Sequence, residues 1–283
     1  MTLSSVPISG RAGPGGFDVI RRLSELFLAQ TIDQVWEMHK EAMRHYGFDR
    51  LIYASTRLAY GQDFDSWDDA LVLTSHDPAY VDTFFGKGLF AHAPMVRWTM
   101  ENTGAISWSR VPDLIAAGMA PPRAHEVLEL NRRFGVVAGY SISFKEISMR
   151  ARGGIGLCAR EGLSQADVDA IWAAHGEEIL VLNNAMHLKL VHLPHQGAEC
   201  NLTQRQREVL QWIADGKSVQ NVATLLGVSP ATVEKHLRLA RENLKVETTA
   251  QAVLKAGMLN QIFVDFERTI VGDDSALKRN RKG

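Results

Sequence analysis

Side chains able to grip another molecule gather in one stretch of this 283-residue chain. Glu234, Lys235, Arg238, Arg241 and Glu242 recur at helical spacing, and Val233, Leu237, Ala240 and Leu244 form the complementary apolar stripe. Arginine and lysine on such a face donate to guanine edges and to phosphate oxygens. Lys217, Ser218 and Thr232 fall near helix starts, where an ammonium, a hydroxyl and unpaired backbone N–H groups suit phosphate. Taken alone, the helix reads as an ordinary solvated face. A second constellation is aromatic: Tyr80, Phe84, Phe85, Phe90, Trp98 and Trp108. It suits an apolar cavity with a few polar groups, or else a filled core. No nucleophile motif, phosphate loop or carboxylate pair stands out, which speaks against an enzyme. His192, His195 and Cys200 match no standard zinc spacing. Cys158 lies in an apolar run that suits a buried, inert thiol.

The charged face is positioned by a helix-turn-helix pattern from Val219 to Leu239. Ala223 lets the first helix approach the second. Gly227, four residues on, permits the positive φ of a turn, and Val233, six further, anchors the second helix. Val222, Leu226, Val228 and Leu237 fill the inward positions. These offsets turn a wet helix face into a reader of the DNA major groove. Residues 201–263 as a whole predict an all-α domain of four helices. Thr203 with Gln206, Ser218, Ser229 before Pro230, and Thr248 supply its N-caps. Gly216 and Gly227 end the first two helices, and the fourth ends near Gly257 or Leu259.

Ahead of it, a helical pattern over 17–46 carries a break and a new N-cap at Thr31-Ile32-Asp33, with Gly47 as its stop. Strands are predicted at 51–55, 70–74, 136–144 and 154–159. Between them lie an irregular, helical region at 77–100 and a helix at 124–134 stopped by Gly135. A further helix runs from Gln165 to about Val191, capped by Ser164 with Asp167. Intermixed strands and helices predict an α+β domain over 17–191 with a central sheet. Residues 1–16 are expected to be disordered and 192–200, broken by Pro194 and Gly197, to be a linker. Residues 264–283 form an extension whose basic end, Lys278 to Lys282, is a solvated tail.

The net charge of −1 conceals an asymmetry. Residues 201–263 carry eight Lys/Arg against five Asp/Glu, whereas residues 1–200 carry eighteen against twenty-three. An acidic module joined to a mildly basic one fits a sensor joined to a reader. Two cysteines fit a reducing cytoplasm. No apolar run approaches the ~18 residues of a membrane span, and the N-terminus lacks the apolar core of a secretory signal.

With these residues in hand, the C-terminal domain resembles the LuxR-type, GerE-like helix-turn-helix family. The matches are the Leu202-Thr203 and Arg205 start, Glu208-Val209-Leu210, Gly216-Lys217-Ser218, Val222-Ala223, the run from Val228 to His236, and Ala252-Val253. Gln206 and Thr249 depart from the usual Glu and Arg. The N-terminal domain resembles the autoinducer-binding domain of quorum-sensing LuxR regulators through Tyr80, Phe84, Pro94, Trp108, Phe134-Gly135 and Gly139. The resemblance implies an α-β-α sandwich that binds an N-acyl-homoserine lactone at Tyr80, Phe84, Ala93, Pro94, Trp108, Gly139 and Ser141, with no cofactor. It further implies a homodimer that reads a palindromic promoter site in double-stranded DNA and engages RNA polymerase; the helix from Gln165 to Val191 is the candidate for dimer contacts. Three departures concern the ligand. The family's carboxylate before the proline, which accepts the ligand amide N–H, is Ala93 here, Phe84 lacks a hydroxyl, and Tyr80 replaces a tryptophan. Losing that charge-assisted bond costs on the order of 2–4 kcal/mol. Either another group accepts, with His92, Ser141 and Ser143 as candidates, or the ligand is not an ordinary acyl-homoserine lactone. The rival reading is a family member that acts without ligand or as an antagonist.

Overall fold

The computed structural model describes residues 17–56, 70–146, 151–194 and 202–263. The expected disordered start, the extension from 264, His195, Cys200 and most of the expected linker lie outside the described residues.

The N-terminal domain is built on a five-stranded antiparallel sheet of order β2-β1-β5-β4-β3, made of β1 (Phe48–Thr56), β2 (Leu71–Thr74), β3 (Gly104–Ser107), β4 (Gly139–Ser143) and β5 (Arg152–Ala159). Side chains alternate across such a strand, and both faces of this sheet are covered. One face packs under α1 (Val19–Leu28), α2 (Ile32–His45) and α7 (Gln165–His192), with Met43, Leu51, Tyr53, Leu157, Ile179 and Met186 at its centre. The break foreseen at Thr31 is real. Its hydroxyl accepts from the Gln34 backbone N–H, and the Gln34 side chain accepts from the Thr31 backbone. Ser164 and Asp167 make the same reciprocal cap on α7. This apolar layer holds two paired histidines. His39 Nε2 lies 3.0 Å from Asn183 Oδ1, and Tyr53 Oη lies 3.0 Å from His187 Nδ1.

The other face is covered by α3 (Pro78–Gly86), α4 (Pro94–Glu101), α5 (Val111–Ala116) and α6 (Ala124–Arg133). Arg50 ties this layer to the sheet: its guanidinium donates to the carbonyls of Phe134 (3.0 Å), Gly135 (3.1 Å) and Ala159. Two elements here were not foreseen, β3 and α5, each too short to leave a periodic signal. The strand expected over 136–144 begins only at Gly139. Val136 N–H instead closes the turn after α6 onto the Asn131 carbonyl (2.8 Å).

The C-terminal domain comprises α8 (Gln204–Ala214), α9 (Val219–Leu226), α10 (Pro230–Asn243) and α11 (Thr249–Met258). Thr203, Ser218, Ser229 and Thr248 each accept a backbone N–H in the first turn, as their positions predict. Gly227 takes φ +64° between α9 and α10, a backbone that a β-carbon disfavours. The two domains touch through Asn260, whose amide donates to the carbonyls of Val191 (3.0 Å) and Leu193 (3.3 Å) at the end of α7.

Candidate functional site

Two surfaces offer chemistry, a cavity in the first domain and a helix face in the second. The cavity, of about 670 Å³, lies between the sheet and the α3–α6 layer. Its floor is the face of β1 and β5 that carries Ile52, Ala54, Gly154 and Gly156, and its walls include Tyr80, Phe84, Ala93, Pro94, Trp108 and Val127. Small residues on the floor keep the space open. A β-carbon on Gly156 would lie 3.2 Å from Ile52 Cγ2, and one on Gly154 would lie 3.3 Å from Thr99 Cβ.

Of the ligand residues expected from sequence, Tyr80, Phe84, Ala93, Pro94, Trp108 and Ser141 line this cavity. Gly139 does not. It lies beneath Trp108, where a β-carbon would meet Trp108 Cζ3 at 2.9 Å and the Leu157 carbonyl closer still. Its task is to let the indole lie flat against the sheet. Trp108 Nε1 then donates to Ser141 Oγ at 2.9 Å. Among the candidate acceptors, His92 lies off the lining, and Ser143 donates instead to the carbonyls of Thr99 (2.6 Å) and Asn102 (2.7 Å), fastening α4 to β4.

Sequence reasoning missed His76 and Asn131. Tyr80 donates its hydroxyl to Asn131 Oδ1 at 2.9 Å, and burial raises its phenol well above the usual tyrosine range, so it stays an O–H donor. His76 stacks on Tyr80 with 4.9 Å between ring centroids and lines the cavity, 8% exposed. Burial first, then the Arg50 charge, push its imidazole down to about 4, so it is neutral near pH 7. The signal for His76 was its place four residues before Tyr80, just ahead of the Asp77 cap of α3. For Asn131 it was the helical spacing from Val127 and Leu128, which line the same wall. No Asp or Glu is among the described residues lining the cavity. Cys158 is fully buried, and desolvation pushes its thiol up to about 12, which removes it from thiolate chemistry.

On the second surface, Val233, Leu237, Ala240 and Leu244 are buried, and Glu234, Lys235, Arg238 and Glu242 are exposed. Arg238 pairs with Glu242 at 2.6 Å, a contact between two half-exposed side chains that a phosphate or base can displace. Arg241 is half-buried and donates to Thr249 Oγ1 at 3.0 Å, joining α10 to the start of α11. Lys217 and Ser218 are exposed at the N-terminus of α9, the Ser218 hydroxyl already accepting from Asn221 N–H at 3.2 Å. Thr232 lies half-buried in the first turn of α10, its hydroxyl 2.9 Å from Ser229 Oγ. Gln206 is buried and adds a bond from Asn243 Nδ2 (3.2 Å) to its capping role, so the amide serves where a charge would be desolvated. No helix of the described residues is long and apolar enough to cross a membrane.

Comparison with known proteins agrees with both surfaces. Residues 31–190 match the autoinducer binding domain family, and residues 200–256 match the bacterial regulatory proteins of the luxR family. The chain is 28% identical to the HTH-type quorum sensing-dependent transcriptional regulator RpaR of Rhodopseudomonas palustris, over 65% of this chain and 71% of that protein. It is 22% identical to the transcriptional activator protein AnoR of Acinetobacter nosocomialis, over 84% of this chain and 95% of that protein. Among solved structures, Escherichia coli SdiA is similar in fold, with a TM-score of 0.50 at 18% identity, covering 87% of this chain and 98% of that one.

Proposed function

The chain belongs to the LuxR-type transcriptional regulators with an autoinducer-binding domain, and from that premise we propose that an acyl-homoserine-lactone-like molecule controls its binding to DNA. The observation that carries this reading is the cavity: an apolar space with few polar groups, in the domain ahead of a helix-turn-helix reader. A ligand held there bridges the sheet and the α3–α6 layer. Binding only the folded protein, it stabilises that state by mass action.

The regulator acts as a homodimer on a palindromic promoter site in the cytoplasm and engages RNA polymerase. Exposed apolar side chains support a dimer contact on α7 and its neighbour α1. Val181 and Leu188 of α7 are exposed, as are Ile20, Phe27 and Leu28 of α1, and Lys189 Nζ joins the two helices through the Phe27 carbonyl at 2.8 Å. Two-fold symmetry then sets two copies of α10 about one DNA turn apart. Lys235 and Arg238 read bases, while Lys217, Ser218 and Thr232 hold phosphate.

Fluorescence anisotropy on DNA fragments selected by the full-length protein tests the reader. Lys235→Ala with Arg238→Ala loses specific binding by about a hundredfold or more, at roughly 1–3 kcal/mol for each base contact. Arg241→Ala instead lowers stability. Retained specific binding in the double variant sinks the assigned reading face. A second reading, regulation without ligand, is favoured by Ala93, with no carboxylate among the described residues lining the cavity. A melting temperature unmoved by lactones of any chain length would select it.

A further inference from the structure

Nearly every polar side chain at the cavity wall is already engaged within the protein. Tyr80 donates to Asn131, Trp108 donates to Ser141, and Thr99 Oγ1 donates to the Val96 carbonyl at 2.7 Å. His76 is different. Its backbone N–H bonds to Thr74 Oγ1 at 3.1 Å, but neither ring nitrogen has a hydrogen-bond partner among the described residues. The ring is nonetheless nine-tenths buried and lines the cavity, and its nitrogens are not among the atoms sealed off without a partner, so a molecule held in the cavity can reach them. Its position is fixed. The end of β2 lies just before it, the Asp77 cap of α3 just after, and the ring stacks on Tyr80, which in turn stacks on Phe84 at 5.4 Å.

We propose that His76 is the specificity-determining anchor of the cavity, accepting a polar hydrogen, an amide N–H or a hydroxyl, from an acyl-chain ligand. This rests on the reading that the cavity binds such a ligand. A neutral imidazole carries one acceptor nitrogen in either tautomer, so the site accepts an N–H although Ala93 offers no side-chain oxygen. The Asn131 amide, its oxygen occupied by Tyr80, has N–H donors left for a ligand carbonyl. The pair matches a group that both donates and accepts.

The test uses the full chain and three probes in calorimetric titration: octanoyl homoserine lactone, its isostere with an ester oxygen in place of the amide N–H, and octanoyl glycerol. The wild type binds the amide about tenfold or more tightly than the ester. His76→Phe keeps the stack on Tyr80 and removes that preference, and His76→Gln, which returns an acceptor, restores part of it. The inference is overturned if His76→Phe retains the preference, if the wild type binds both lactones without a preference, or if no probe binds. Should octanoyl glycerol alone bind, with a loss of about tenfold in His76→Phe, the lactone reading fails while the anchor stands. Undiminished binding of it by His76→Phe overturns the anchor as well.

Discussion

The two domains hide their apolar side chains equally well and to opposite ends. In the reader, Val209, Leu210, Val222, Val233, Leu237 and Ala240 are each 3% exposed or less and close upon one another. In the sensor, Tyr80, Phe84 and Val127 are nearly as hidden, yet they line a cavity of about 670 Å³. Burial alone therefore does not separate a core from a pocket. The small residues do. Ala93, Gly154 and Gly156 leave at the cavity wall the volume that larger side chains would occupy. In the reader, Ala223 and Ala240 sit where helices meet, so that their smallness brings backbones together instead of opening a space.

Substitutions that change volume test that contrast most strongly. Leu237→Ala costs about 2–5 kcal/mol by removing packed contacts from the reader, and calorimetry sees its transition fall while the sensor's stays. Ala93→Leu, adding volume to open space, shifts the sensor by less than about 1 kcal/mol but abolishes any ligand-induced rise in melting temperature. A large destabilisation by Ala93→Leu would mean that the cavity wall is packed like the reader.

Acid separates the domains next. Burial holds both His39 and His76 of the sensor down to about 4, from an ordinary value of 6.5. Between those values the unfolded chain binds protons that the folded sensor does not. Its stability is therefore full above pH 6.5 and falls as the pH drops toward 4. By about pH 5 each imidazole accounts for a loss of roughly 2 kcal/mol. His39→Gln flattens the fall, and an unchanged slope in that variant would remove His39 from the account.

The smallest effect concerns the joint. Asn260→Ala removes the bonds to Val191 and Leu193, worth about 1 kcal/mol in this partly exposed setting. Limited proteolysis between residues 194 and 202 should quicken in that variant, while each domain keeps its own melting transition. Unchanged cleavage would show that the domains are held together by something else.

Much of the fold was legible in the sequence because its punctuation is local. Thr31, Ser164, Thr203, Ser218, Ser229 and Thr248 each bind a backbone N–H three residues on, so the signal and the structure it makes share one turn of chain. The buried stripe of α10 was equally plain, being one period repeated. The bond from Arg241 to Thr249 was harder to read, because it reaches across a loop. β3 exists only because β4 offers it an edge, and four residues carry no period of their own.

By itself, then, the sequence determined the order of domains, the helix starts, the helix-turn-helix geometry and the aromatic set that surrounds the cavity. Whether those aromatics enclose space or fill it was decided by tertiary structure, as was the lone free imidazole among them. The physical reason is separation along the chain. His76, Asn131 and Ser141 come from a connection, a helix and a strand far apart along the chain, and what they form together depends on how a twisted sheet and four short helices settle around glycines. No spacing within one element records that.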